Sequence, residues 1–91
     1  MNKAEQIKVL ITIPGVGKSI AEDLLNIGIT NVQQLKGKDS EQLYNKSNEF
    51  AGAVQDRCLM YVFRCAVYFA ETENKKRKNE KLKWWYWKDK K

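Results

Sequence analysis

A chain of 91 residues with no histidine, two cysteines and a net charge of +6 is the size of one small domain. The missing imidazole excludes histidine-based acid–base catalysis and removes most transition-metal sites. An apolar content of 43% with 11% aromatics is enough for a folded core, so a chain disordered throughout is excluded.

The charge is unevenly placed. Residues 1–73 carry eight Lys/Arg against nine Asp/Glu, a net −1, whereas residues 74–91 carry nine against Glu80 and Asp89, a net +7. This division predicts a near-neutral helical domain over 1–73 and a basic arm over 74–91, docked in part on the domain.

In chain order, residues 4–12 read as a first helix, with Ile7, Leu10 and Ile11 at helical spacing. Ile13 precedes the only proline, Pro14, and is pushed toward an extended conformation that ends the helix. A second helix begins near Lys18 or Ser19, with Ile20, Ala21, Leu24 and Leu25 on one face. Gly28 is its predicted left-handed stop, and Thr30 or Asn31 caps a short third helix through Leu35. After Gly37, Asp39 or Ser40 caps another short helix through Gln42, Leu43 and Tyr44. "SNEFAGAV" reads as a looser connector around Gly52.

Asp56 opens the strongest element, running to Ala70 or Glu73. On a helical wheel Leu59, Val62, Phe63, Ala66, Phe69 and Ala70 make a broad apolar face. Arg57, Tyr61, Arg64 and Tyr68 form a narrow stripe opposite. That stripe is either the outer edge of a core helix or a surface for nucleic acid or a partner. Cys58 and Cys65 on this helix lie about 10 Å apart at 1.5 Å rise per residue, too far for a disulfide. They suit reduced, buried fillers; a redox pair or half a metal site is the other reading. No strand grammar and no direct internal repeat is visible. The predicted fold is all-α, a small bundle of about five helices with a basic, Trp-rich tail.

The turn "PGVGKS" concentrates the only proline and two of the five glycines. Gly15 and Gly17 let the backbone turn tightly and let another molecule approach, while Val16 can point back into the core. The helix that follows presents unpaired N–H groups and the positive end of its dipole, where a phosphate can dock. Lys18 adds a charge there and Ser19 a hydroxyl. Such contacts touch the nucleic-acid backbone and are blind to sequence. The alternative is a purely structural hairpin serving packing or protein contact.

"LITIPGVGKSIAEDLL", followed by "GITNVQQL", resembles the helix-hairpin-helix motif of DNA-repair and recombination proteins, a SAM-like fold. The resemblance implies that Gly15, Val16 and Gly17 bind a DNA phosphate through backbone N–H groups, with Lys18 and Ser19 assisting. A second copy would fall at "EFAGAVQDRCLMYV", which keeps Gly52 but lacks the paired glycines. Through "GKSIAEDL", "LKGKDSEQLY", "QDRCLMYVFRCAVYFAE" and "KLKWWYWKD", the chain is also similar over nearly its full length to a narrower family. These are small bacterial helix-hairpin-helix proteins named for the Clostridium pathogenicity locus, also labelled mitomycin-resistance proteins. That likeness implies a fold and DNA binding, and no settled activity.

In the arm, Lys75, Lys76, Arg77, Lys78, Lys81 and Lys83 can attract a polyanion with strong salt dependence. Trp84, Trp85, Tyr86 and Trp87 can stack on unpaired bases, or fold back over the helices because so much apolar area is costly in water. Folded back, Leu82 and some of the tryptophans would cover the Phe63/Phe69 side, after a loose, solvated "NKKRKN" linker. Glu22 and Asp23 are adjacent, so on a helix they diverge and make a poor metal site. Where a helix-hairpin-helix glycosylase would place a lysine, this chain has Ser19. The expectation is therefore no enzyme, no cofactor and no metal. DNA is the expected partner, with a protein partner and a monomer or homodimer left open. "MNKAEQIKVL" shows no secretory signal and no run is long enough for a membrane, so a cytoplasmic protein is expected.

Overall fold

The computed structural model describes residues 2–89; Lys90 and Lys91, the end of the predicted arm, lie outside the described residues. Four α-helices and four short 3-10 turns, with no strand among the described residues, make up the fold. The helices are α1 (Lys3–Ile11), α2 (Lys18–Asn26), α3 (Ser40–Ala51) and α4 (Cys58–Glu71). The 3-10 turns are Val32–Leu35, Asn74–Lys76, Asn79–Leu82 and Trp84–Trp87. The all-α expectation holds.

Local chemistry sets most element starts. Asn2 Oδ1 accepts the Glu5 N–H at 2.9 Å and starts α1, and Asp39 Oδ1 accepts the Glu41 N–H at 2.9 Å and starts α3. Asn31 Oδ1 takes the Gln34 N–H at 3.0 Å, while Gln34 Oε1 reaches back to the Thr30 N–H at 2.6 Å. Gly28, at φ 91°, ends α2 in the left-handed region where a side chain is disfavoured.

Two boundaries and one side-chain placement differ from the sequence expectation. Helix α3 does not stop after Tyr44 but continues through "SNEFA" to Ala51. Its poor helix formers find tertiary partners: Ser47 Oγ donates to Gln55 Oε1 at 2.8 Å, and Asn48 Oδ1 accepts the Gln55 N–H at 2.9 Å. Asp56 precedes α4 rather than opening it, because its carboxylate caps the Cys58 N–H at 2.9 Å. Ile11, predicted for the first apolar face, is exposed, since Leu10 and Ile13 fill the core contacts of that segment.

One core joins all four helices. Leu10, Ile13, Leu24, Leu35, Met60 and Phe63 are essentially fully buried, with Val16, Leu43, Tyr44 and Ala66 around them. Phe63 on α4 is the largest fully buried side chain, worth about 1.5–3 kcal/mol of apolar transfer. Helix α4 is the axis. It packs against α3, the Val32–Leu35 turn and the C-terminal turns, and Glu71 Oε2 accepts the Gly37 N–H at 2.8 Å. Cys58 and Cys65 are free thiols, and burial pushes the Cys65 thiol up to about 11. No described helix is long and apolar enough to cross a membrane.

Candidate nucleic-acid interface

The turn between α1 and α2 is built from inside outward. The Ile13 carbonyl accepts the Val16 N–H at 3.1 Å, and Val16 is buried, pinning the turn to the core. Gly15, Gly17, Lys18 and Ser19 are exposed. Gly15 sits at φ 85°, so the turn itself requires glycine there. Gly17 is different. Its φ of −93° and ψ of −173° suit any residue, and an added Cβ would meet nothing within 4 Å. The fold alone gives no reason for a glycine at that position.

Helix α2 begins without a side-chain cap and with no acid in its first turn. Among the described residues the N–H groups of Gly15, Gly17, Lys18, Ser19 and Ile20 have no protein acceptor. They are the orphan donors of a helix start, reinforced by its dipole and by Lys18. Val16 points back into the core as expected, whereas its N–H, which the resemblance assigns to phosphate, is engaged by the Ile13 carbonyl. Glu22 and Asp23 follow one turn along α2, where burial first, and the Glu22 charge second, raise the Asp23 carboxyl.

The tail runs antiparallel to α4, and its placement differs from a lid on the Phe63/Phe69 side. It seats on the Arg57/Tyr61/Arg64/Tyr68 stripe. Arg64 Nη1 donates to the Trp87 carbonyl at 2.7 Å, and the Tyr68 and Trp87 rings lie 5.5 Å apart. Asp89 reaches Arg57, Arg64 Nη1 at 2.9 Å, and the Tyr61 hydroxyl at 3.1 Å. The hydrogen bonds from Arg57, then Arg64, hold the Asp89 carboxyl at about 2. The physical reason is availability. The apolar face of α4 is already filled by core partners, while the stripe offers donors and rings to a backbone with few partners of its own.

"NKKRKN" is not a loose linker. Arg77 Nε donates to the Thr72 carbonyl at 2.8 Å, and its Nη2 to the Phe69 carbonyl at 2.8 Å. Its guanidinium also lies 3.7 Å from the Phe69 ring centre, and Tyr68 Oη accepts the Lys78 N–H at 2.9 Å. Arg77 thus caps the C-terminal end of α4. Lys75, Lys76, Lys78 and Lys83 are exposed, and Lys81 is half-buried with its ammonium 5.7 Å from the Tyr68 ring.

Cys65 joins the turn to the tail: its thiol lies 3.9 Å from the Pro14 carbonyl and 3.6 Å from that of Lys81. Trp84 packs on Gly15, with Cδ1 3.5 Å from where a Cβ would stand. Residues 81–84 therefore lie beside the turn, whereas residues 75–78 lie at the far end of α4. Sequence reasoning missed Asp89, whose carboxylate pairs with the arginines of the stripe. It also missed Lys38 and Lys88, which share a cleft of about 560 Å³ with Arg64, Tyr68, Tyr86 and Trp87. A polar stripe on an apolar helix, set against an acid in a basic arm, was the available signal for Asp89.

Comparison with known proteins bears on this architecture. No solved structure matches the chain. It is similar to the Mitomycin resistance protein McrB of Streptomyces lavendulae, 37% identical over 62 residues. That match covers 68% of this chain and 59% of the relative's length. The model of the Pathogenicity locus family, Cdd1, matches residues 3–91. Spanning the turn, α4 and the tail together, that match makes the chain a member of the Pathogenicity locus family.

Proposed function

We propose that this protein is a DNA-binding module of low sequence specificity that holds a backbone phosphate at residues 15–19, in the manner of a helix-hairpin-helix. The observation that carries the reading is the uncapped start of α2, with open N–H groups beside Lys18 and Ser19. Gly17 adds to it: a glycine unneeded by the fold removes the side chain that would stand between the backbone and an approaching phosphate. The basic arm supplies affinity through Lys83, which precedes the Trp84 packed on Gly15 of the turn. A DNA partner and two free thiols go with a cytoplasmic protein.

A second reading, protein contact, draws on exposed Phe50 and Val54, in and after the last turn of α3. The two readings use different surfaces.

Fluorescence anisotropy with labelled duplex and single-stranded DNA, from about 50 to 200 mM salt, tests the first reading. Binding should fall steeply with salt and be lost in Gly17→Ala/Lys18→Glu, with circular dichroism confirming the variant's fold. Binding retained by the variant would move the affinity to the tail. No binding by the native protein at the lowest salt would sink the reading.

A further inference from the structure

The four aromatic residues in the Trp84–Trp87 turn do not behave alike. Trp84 and Trp87 turn inward, one against Gly15 and the core, the other against Tyr68. Trp87 Nε1 also donates to the Lys81 carbonyl at 2.9 Å. Trp85 and Tyr86 turn outward and are 53% and 47% exposed. The fold uses the inward pair to seat the tail and leaves the outward pair in water, where a tryptophan face is costly.

The outward rings are nonetheless held. Trp85 stands edge-on against Trp84 at 5.8 Å, and Tyr86 edge-on against Trp87 at 5.2 Å. Each exposed ring is thus oriented by a half-buried one, which limits the freedom it loses when a ligand stacks on it. Each has one cation over it: Lys83 Nζ lies 5.9 Å from the Trp85 ring centre and Lys81 Nζ 6.0 Å from that of Tyr86. Through Trp84, the Trp85 ring is one side chain removed from Gly15 of the turn. On the other flank, Tyr86 borders the cleft that holds Lys38 and Lys88.

We infer that Trp85 and Tyr86 form a stacking platform for unpaired bases, and that the preferred ligand is DNA with a single-stranded segment beside a duplex. Flat π-faces next to ammonium groups match a single strand, whose bases are free to stack and whose phosphates are anionic. A fully paired duplex offers a free base face only at its two ends. The inference rests on the phosphate site proposed at the α1–α2 turn, which would grip the backbone while the platform takes the bases.

The test is anisotropy with a blunt duplex and the same duplex extended by a single-stranded oligothymidine tail, using the native chain, Trp85→Ala, Trp85→Phe and Gly17→Ala/Lys18→Glu. The tail should improve native binding about tenfold. Trp85→Ala should lose that advantage while keeping its blunt-duplex affinity, and Trp85→Phe should retain most of it. The turn variant should lose affinity for both probes. Equal native affinity for both probes, or a Trp85→Ala variant that keeps the advantage, overturns the platform and leaves the phosphate site standing. Failure of the native protein to bind either probe overturns both.

Discussion

Two turns of similar plan join helix pairs in this protein, and their chemistry is opposite. Between α1 and α2, Val16 points inward at 4% exposure, and the N–H groups that open α2 have no protein acceptor. Between α3 and α4, Val54 is 84% exposed and the polar groups close on one another. There the Gln55 N–H donates to Asn48, the Gln55 carbonyl accepts the Tyr44 hydroxyl, and Asp56 caps Cys58. The Cys58 N–H holds the Asp56 carboxyl below its ordinary range, so a negative charge occupies the start of α4. An anion is drawn to the first turn and repelled from the second. One helix–turn–helix plan can therefore serve as a ligand site or as a sealed joint, according to what fills the first turn of its second helix. On the proposed reading, a single open turn would contact one strand of a DNA ligand.

The widest separation between the turns is expected at their valines. Val16→Asp places a charge in the core and should destabilise the fold by about 3 kcal/mol or more, read from the midpoint of urea unfolding. Next comes Gly17→Asp, which converts the open turn into a capped one like that of α3. It should weaken duplex binding about tenfold or more, through repulsion and a blocked N–H. The same change should raise stability by about 0.3 kcal/mol, because φ and space at Gly17 both permit a cap. Opposite signs for binding and stability would identify the open start of α2 as functional; binding that survives would remove it.

A smaller effect is expected from acid. The folded-state value of Asp89, about 2, lies below its ordinary 3.8, so its hold on the tail is complete above 3.8 and is lost as pH falls through about 2. Near-ultraviolet circular dichroism of the tryptophans should show that step in the native chain and lack it in Asp89→Asn. Far-ultraviolet signal from the helices should be common to both. The smallest effect belongs to Val54→Asp, which should change stability by no more than about 0.5 kcal/mol. A large loss there would mean that the second turn is not the exposed joint described.

Much of the fold is legible in the amino-acid sequence. The Asn31 and Asp39 caps, the Gly28 stop and the Pro14–Gly17 turn are local signals, each decided by a few neighbouring residues. The extent of α3 is not. Ser47 and Asn48 argue against a helix until Gln55 satisfies both across the turn. The candidate site divides in the same way. The sequence marked Gly15, Gly17, Lys18 and Ser19 by type and spacing, but the engagement of Val16 by Ile13 is a matter of turn geometry.

The sequence by itself determined an all-helical chain, an open glycine turn ahead of a helix, and a basic aromatic arm, because these follow from residue types in short range. Only the tertiary structure decided where the arm lies, which tryptophans face in, and that Arg77 caps α4. The physical reason is that a stripe of arginine and tyrosine and a run of tryptophans each have several acceptable partners. Which one each takes depends on the surfaces that the rest of the core has already filled.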